Sequence, residues 1–173
     1  MVTAEQLKTA EGILAEAKVD LPVFEKSELI EATAWGKGFS FEQIKKMARY
    51  MDLYKVKRKA VLFSEGEKKA YLVLIARGHV DVIKFDTHNK PKKITTLGPG
   101  KTIGEMSLID GEPRSASAVA STEATLLVMT AANFAALNKD LPGIGLILAL
   151  KIAKQMSQYL RLTSGRLIDH LGD

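Results

Sequence analysis

The sequence predicts an α+β domain in which short antiparallel strands form a closed body, with helices before and after it. Three observations carry this. Short β-prone runs recur between residues 60 and 129 at about ten-residue spacing, with glycines in the breaks. That rhythm belongs to a barrel, roll or sandwich. Helical periodicity and capping signals fill residues 4–50, and a second helical region runs from Ala131 with a proline near its start.

Taken in order, Leu7, Ile13, Leu14 and Ala17 recur with polar residues between them, predicting a helix over 4–18 that Val19 to Pro22 breaks. Glu25 to Ala34 predicts a second short helix, punctuated by Gly36 and Gly38. Ser40 with Gln43 three residues on forms a capping box. It opens a helix through Ile44, Met47 and Ala48 to about Tyr50. The strand runs are Ala60–Phe63, Tyr71–Ala76, Val80–Phe85, Lys93–Leu97, Ala116–Ala120 and Thr125–Met129. Gly66, Gly78, Gly98, Gly100 and Gly111 fall between them, and His88-Asn89-Lys90 reads as a hairpin tip. Thr130 caps a short helix over Ala131–Leu137.

Pro142 then sits in the first turn of a long helix running to about residue 168. On it Leu148, Ile152, Met156, Leu160, Thr163 and Leu167 make one apolar stripe. At 1.5 Å per residue this helix is roughly 40 Å long. A small roll is only about that wide, so part of the stripe projects and a homodimer through this helix is expected.

Composition narrows the class. The chain has 173 residues, 46% hydrophobic and 26% charged, which suits one folded domain rather than a disordered chain. It has no cysteine, so disulfides, thiolate metal sites and cysteine nucleophiles are excluded. The N-terminus lacks a basic and apolar leader, and the longest apolar run is Ile144 to Leu150. Neither a signal peptide nor a membrane span is expected, and the expected location is cytoplasmic. His79, His88 and His170 stand at no ligand-like spacing, so no metal site is expected. The net charge of +5 is uneven: residues 1–31 hold three lysines against seven acids, so the remainder carries +9. Basic clusters occur at Lys55 to Lys59, at Lys68-Lys69 and at Lys90 to Lys93, each beside a loop signal as solvated turns are. A basic body attracts an anionic ligand, nucleic acid or an acidic partner.

Residues 98–120, GPGKTIGEMSLIDGEPRSASAVA, hold the chemistry. They read as a glycine turn, a short helical piece from Glu105 to Ile109, an Asp110-Gly111 turn, and Arg114 entering a strand of small residues. Backbone N–H groups near one guanidinium and the Ser115 hydroxyl suit a phosphate. Small side chains at Ser115, Ala116, Ser117 and Ala118 leave room for a ligand against the sheet. Glu105 is an acceptor better suited to sugar hydroxyls than to the phosphate.

Gly104-Glu105-Met106-Ser107-Leu108 followed by Pro113-Arg114-Ser115-Ala116 resembles the phosphate-binding cassette of the cyclic nucleotide-binding domain family. That family includes catabolite activator proteins and the regulatory subunits of cyclic AMP-dependent protein kinase. The nine-residue step from Glu105 to Arg114 is similar to that of the kinase subunits. Phe63-Ser64-Glu65-Gly66-Glu67 and Ala76-Arg77-Gly78-His79-Val80 resemble the family's early strand-and-glycine pattern. The resemblance covers about residues 41–168. It implies an eight-stranded antiparallel β-roll, a jelly-roll-like double-stranded β-helix, with an N-terminal helical bundle and a long C-terminal helix. The domain plan is then an N-terminal helical segment, 1–40, and a binding domain, 41–173, whose hinge and lid or dimerisation helix span about 131–168.

Carried over residue by residue, the resemblance gives Arg114 the phosphate of a 3′,5′-cyclic nucleotide and Glu105 the ribose 2′-hydroxyl. The amides of Gly104, Ser115 and Ala116 and the Ser115 hydroxyl complete the cradle, with Ile103, Met106 and Ser107 lining it. Ile103 stands where the family often has phenylalanine, and Lys59-Ala60 replaces a common glycine. Thr163-Ser164 resembles the adenine-reading pair of catabolite activators but lies one helical turn beyond its expected place, where Tyr159 and Leu160 stand. Either pair is a candidate for the base.

The expectation is a stand-alone receptor of cyclic AMP or cyclic GMP, without a cofactor and without catalysis. Signalling through movement of the last helix reaches an unknown effector protein, with the N-terminal helices either a family-type bundle or its docking segment. Some five residues follow that helix, so the recognition helix of a DNA-binding regulator is not expected, nor is sequence-specific DNA binding by that route. The alternatives are a cyclic di-GMP receptor of the same fold and a ligand-free scaffold dimer.

Overall fold

The structure, a computed structural model, describes residues 3–16 and 18–171. Two compact units divide the chain, one ending at Phe134 and the other beginning at Ala135.

The first unit is built on eight antiparallel strands in two four-stranded sheets. They are β1 (Asp52–Val56), β2 (Val61–Phe63), β3 (Tyr71–Arg77), β4 (Val80–Phe85), β5 (Pro91–Leu97), β6 (Thr102–Ile103), β7 (Ser117–Ala120) and β8 (Ala124–Thr130). One sheet has the order β1-β8-β3-β6 and the other β2-β7-β4-β5. This is the β-roll expected. Alternate residues from both sheets meet in one core: Tyr54 and Val56, Tyr71, Val73 and Ile75, Ala118 and Ala120, Leu126 and Val128. The intervening Leu72, Leu74, Leu127 and Met129 are buried as well, so the first sheet is covered on both faces. Period-2 alternation is therefore absent from β3 and β8, which read instead as continuous apolar runs.

Two strands, β1 and β6, were not separately visible in the sequence. β1 is extended because it pairs along its full length with β8, from Asp52↔Val128 to Val56↔Ala124. β6 has only two residues, held by Val73↔Ile103 and Leu74↔Thr102. TI is too short to read as a strand, and in DLYKV two polar residues stand among the β-prone ones, so only the non-local pairing defines these strands.

The N-terminal prediction needs correction. The helix expected over 4–18 is α1 (Ala4–Thr9), followed by a 3-10 turn at Ile13–Ala15; Ala17 lies outside the described residues. The helix ends at Ala10, whose backbone is extended, and Gly12 at φ +76 then redirects the chain; a Cβ there would stand 2.8 Å from the Leu62 carbonyl oxygen. The break turns Ile13 into the roll core, and Ser64 donates from its hydroxyl to the Leu7 carbonyl. α2 (Val23–Glu31) and α3 (Phe41–Ala48) follow and pack together. The capping box at α3 forms as expected: the Gln43 amide donates to Ser40 Oγ at 3.2 Å, and the Ser40 amide to Gln43 Oε1 at 2.8 Å. Between β6 and β7 lies the short α4 (Glu105–Asp110), closed by Gly111 at φ +73. The hairpin tip also forms, with Asn89 at φ +60 and both the His88 and Lys90 amides donating to Asp86 Oδ1 at 2.9 Å.

α5 (Ala131–Asp140) starts under its predicted cap, with the Asn133 amide donating to Thr130 Oγ1 at 3.2 Å. In the second unit Leu141 links it to α6 (Pro142–Leu171), Pro142 taking the first helical position. Gly145 sits so near Asn138 that a side chain there would collide with it. The predicted stripe on α6 divides: Leu148 and Ile152 are buried, whereas Leu160 is 68% exposed. The Leu167 side chain lies outside the described residues. No described helix is long and apolar enough to cross a membrane.

Two glycines separate backbone strain from crowding. Gly66 and Gly78 have φ near +83, but a Cβ at Gly66 meets nothing, while one at Gly78 falls 2.8 Å from Ala124 Cα. Gly66→Ala is expected to cost about 1 kcal/mol for the left-handed backbone alone. Gly78→Ala is expected to cost about 3 kcal/mol, because β8 must also move. Urea unfolding of the two variants checks the difference; equal losses would contradict it.

Candidate functional site

The site is organised by one buried cation. Arg114 is 3% exposed, and its guanidinium carbon lies 4.1 Å from the ring centres of both Phe63 and Tyr71. Those rings meet edge to face, 5.9 Å apart, so the guanidinium fills the corner between them. Cation–π contact in a desolvated corner contributes about 2 kcal/mol. Phe63 ends β2 and Tyr71 begins β3, so the corner is set where the two sheets meet.

The backbone fixes Arg114 as well. Its amide donates to the Glu67 carbonyl at 2.9 Å, and its carbonyl accepts from the Gly66 amide at 2.8 Å. This straps the cassette to the β2–β3 loop. From the other side Nη1 donates to the Gly104 carbonyl at 2.9 Å. Gly104 has φ +84, and a Cβ there would collide with Nη1 and lie 2.6 Å from the Tyr71 carbonyl oxygen. Only glycine brings α4 this close to the guanidinium. β6, just before it, holds the approach by pairing with β3.

The remaining donors are the informative ones. Nε and Nη2 of Arg114 are buried and find no hydrogen-bond partner among the described residues. Burial lowers the pKa of the group, while Tyr71 and the carboxylates of Glu67 and Glu105 oppose that shift. The guanidinium stays charged. Each unsatisfied buried donor costs roughly 1–3 kcal/mol, so the fold carries a cation that an anion of two or more acceptor oxygens would satisfy.

Around it stand most of the predicted residues. Glu105 and Ser107 are buried on α4, and Ile103 belongs to the roll core. Met106 is 45% exposed, and its sulfur takes the Ser115 hydroxyl at 3.7 Å, a weak contact. Ser115 is exposed and Ala116 half-buried. The small-residue stretch is shorter as a ligand surface than expected. Ser117 and Ala118 are fully buried in the sheet, and Ser117 Oγ accepts from the Glu65 amide at 2.9 Å. Tyr159, Thr163 and Ser164 belong to the second unit. There Gln155 Nε2 donates to the Tyr159 hydroxyl at 3.3 Å, and Thr163 Oγ1 donates to the Tyr159 carbonyl at 2.9 Å.

Sequence reasoning missed the aromatic corner and the role of Glu67. Phe63 and Tyr71 looked like ordinary strand residues. The available signal was parity: Tyr71 shares the inward register of Val73 and Ile75. Glu67 Oε2 accepts from the Ser64 amide at 3.2 Å, and its Oε1 is buried without a hydrogen-bond partner among the described residues.

Tyr71 donates its phenol to the Leu62 carbonyl at 2.6 Å. Burial raises its pKa well above the ordinary 10.0; the Glu67 carboxylate adds to this and Arg114 opposes it. Held protonated in the fold, the phenol releases its proton on unfolding above pH 10. Its contribution is complete below that pH and declines as pH rises. Tyr71→Phe should lose about 1–2 kcal/mol at neutral pH and show a shallower alkaline decline. Urea melts from neutral to about pH 11 check both; an unchanged slope would refute the assignment.

Comparison with known proteins agrees with this geometry. The family profile described as the cyclic nucleotide-binding domain matches residues 53–140. The cyclic AMP receptor protein of Thermus thermophilus is 34% identical over 97 residues, which are 56% of this chain and 45% of that protein. A cAMP-dependent protein kinase regulatory subunit from Eremothecium gossypii is 27% identical over 107 residues, 59% of this chain and 22% of that one. The chain thus spans less than half the length of these curated relatives. Among solved structures, a cyclic nucleotide-binding domain from Methylobacillus flagellatus superposes with a TM-score of 0.74 and 32% identity. It covers 85% of this chain and 83% of that one. A matching profile over half the chain, the two-sheet roll and the buried arginine at its junction agree: this chain belongs to the cyclic nucleotide-binding domain family.

Proposed function

We propose that this chain is a cytosolic, non-catalytic receptor module that binds a 3′,5′-cyclic mononucleotide, cyclic AMP in preference. It needs no cofactor, and it passes occupancy to an effector protein through movement of α6. The observation that carries the reading is the Arg114 guanidinium, whose buried Nε and Nη2 find no hydrogen-bond partner among the described residues. A cyclic phosphate supplies two exocyclic oxygens to one guanidinium, the bidentate match that arginine favours. The Ser115 hydroxyl exchanges its weak sulfur contact for a phosphate oxygen, and Glu105 accepts from the ribose 2′-hydroxyl. For the base the candidates are Tyr159 with Leu160, or Thr163 with Ser164.

The preference for adenine rests on the relatives, named as a cyclic AMP receptor protein and a cAMP-dependent kinase regulatory subunit. Exposed Leu146, Leu150, Leu160 and Leu162 on α6 support pairing with a second copy. A ligand shifts the conformational equilibrium only by its differential affinity for the two states. The signal therefore depends on contacts that one position of α6 makes and the other does not.

Calorimetric titration of nucleotide-stripped protein with cyclic AMP, cyclic GMP and cyclic di-GMP tests the proposal. Micromolar or tighter binding of cyclic AMP is expected. Arg114→Ala leaves the phosphate unpaired in a buried site and is expected to weaken binding by roughly 2–5 kcal/mol, about thirty- to several thousand-fold. Near-native affinity in that variant would refute the site. Binding of cyclic di-GMP alone would replace the ligand assignment, and silence with all three from a folded chain would end it.

A further inference from the structure

A second built feature lies on the outer face of the second sheet, away from the Arg114 corner. There β7, β4 and β5 and the β1–β2 turn border a groove of about 240 Å³. Its floor includes Ile83 and Val119, the residues that alternate with the inward Val82 and Ala118 and Ala120. Its rim carries Arg58, Lys59 and Lys93, all exposed, against a single carboxylate, Asp81. That carboxylate is already engaged: Thr96 Oγ1 donates to it at 2.6 Å, and Lys93 Nζ lies 3.8 Å away. Arg58 and Lys59 make no hydrogen bond or ion pair through their side chains to another described residue.

Lys59 adds an independent observation. Its φ is +76, a left-handed conformation that long side chains rarely adopt and glycine adopts without strain. The surrounding backbone enforces it, with the Lys59 amide donating to the Ala120 carbonyl at 2.7 Å and the Ala120 amide to the Ala60 carbonyl at 2.9 Å. A position shaped for glycine but filled by lysine, at the edge of a cationic groove, has given up stability locally. Strain of this kind marks a functional position more often than a random one.

We infer that this groove is a docking site for an acidic, extended peptide segment of a partner protein, one that carries an apolar side chain between carboxylates. Arg58 and Lys59 precede β2 and Lys93 lies on β5, the two edge strands of the order β2-β7-β4-β5, so the cations border the groove from both edges of the sheet, with Asp81 beside Lys93. Cations at both edges of an apolar floor therefore match carboxylates spaced along a chain better than one small phosphate. The body of the protein, at +9 outside residues 1–31, adds long-range attraction of the same sign. The inference goes beyond nucleotide binding and stands whether or not the Arg114 site takes its ligand.

The test uses the full chain and a short fluorescein-labelled peptide alternating glutamate and leucine, followed by anisotropy. Arg58→Glu with Lys59→Glu is expected to weaken binding about tenfold or more, and Lys45→Glu with Lys46→Glu, on α3 outside the groove, less than about twofold. Lys59→Gly is expected to weaken binding while keeping the melting temperature or raising it by up to about 2–4 °C. Equal losses in the groove and α3 variants would reduce the effect to net charge and overturn the inference. Equal binding of an all-glutamate peptide, or full competition by millimolar inorganic phosphate, would overturn it in favour of a simple anion site. A fall from dimer to monomer in the Arg58→Glu, Lys59→Glu variant would assign the groove to a second copy instead.

Discussion

The structure depends on how one guanidinium is kept charged inside a β-roll. Arg114 is held by an aromatic corner, a strap to the β2–β3 loop and a carbonyl from Gly104, and each comes from a different part of the chain. Removing a cation from water is expensive, and aromatic faces with one hydrogen bond return only part of that cost. The two sheets, the short β6 and the left-handed Gly104 can be understood as the frame that makes the arrangement tolerable. Nε and Nη2 of Arg114 are left without a hydrogen-bond partner among the described residues.

The same constraint explains why the N-terminal residues are not a loose appendage to the first unit. Gly12, Tyr71 and Glu67 approach one another beneath the arginine, and Ile13 fills the core beside them. The β2–β3 loop that straps Arg114 is thus buttressed from below by a segment read from sequence as one long helix. A continuous helix could not have delivered Ile13 to that place. The chain ends its helix at Ala10, and the close approach of Gly12 to Leu62 and Tyr71 is what joins the acidic segment to the site.

What was legible in the sequence follows from how local each feature is. The Ser40 cap, the Thr130 cap, the proline opening α6 and the Asn89 hairpin tip all depend on neighbours within a few residues, and all form. The cassette was legible because Gly104, Glu105 and Arg114 lie close in the chain. β1 and β6 were not, because their extended form is imposed by partners far along the sequence. The aromatic corner was hidden for a related reason: β3 is buried on both faces, so polarity does not mark Tyr71 as inward and only the register it shares with Val73 and Ile75 does. The divided stripe on α6 was hidden because periodicity shows which residues share a helix face and not what covers it.

The pairing of β1 with β8 has a consequence in time. Asp52 meets Val128 and Val56 meets Ala124, so the first strand of the roll waits for the last. β3 also pairs with β8 along its length, from Tyr71↔Thr130 onward. Contacts this distant must overcome loop-closure entropy before they return any stability, which slows folding. On a ribosome the first sheet stays incomplete until residue 130 has cleared the exit tunnel. Until then the Arg114 corner has only part of its frame, and the apolar edges of β1 and β3 stand open to other chains. The Arg114 corner is therefore among the last parts of the roll to become sound.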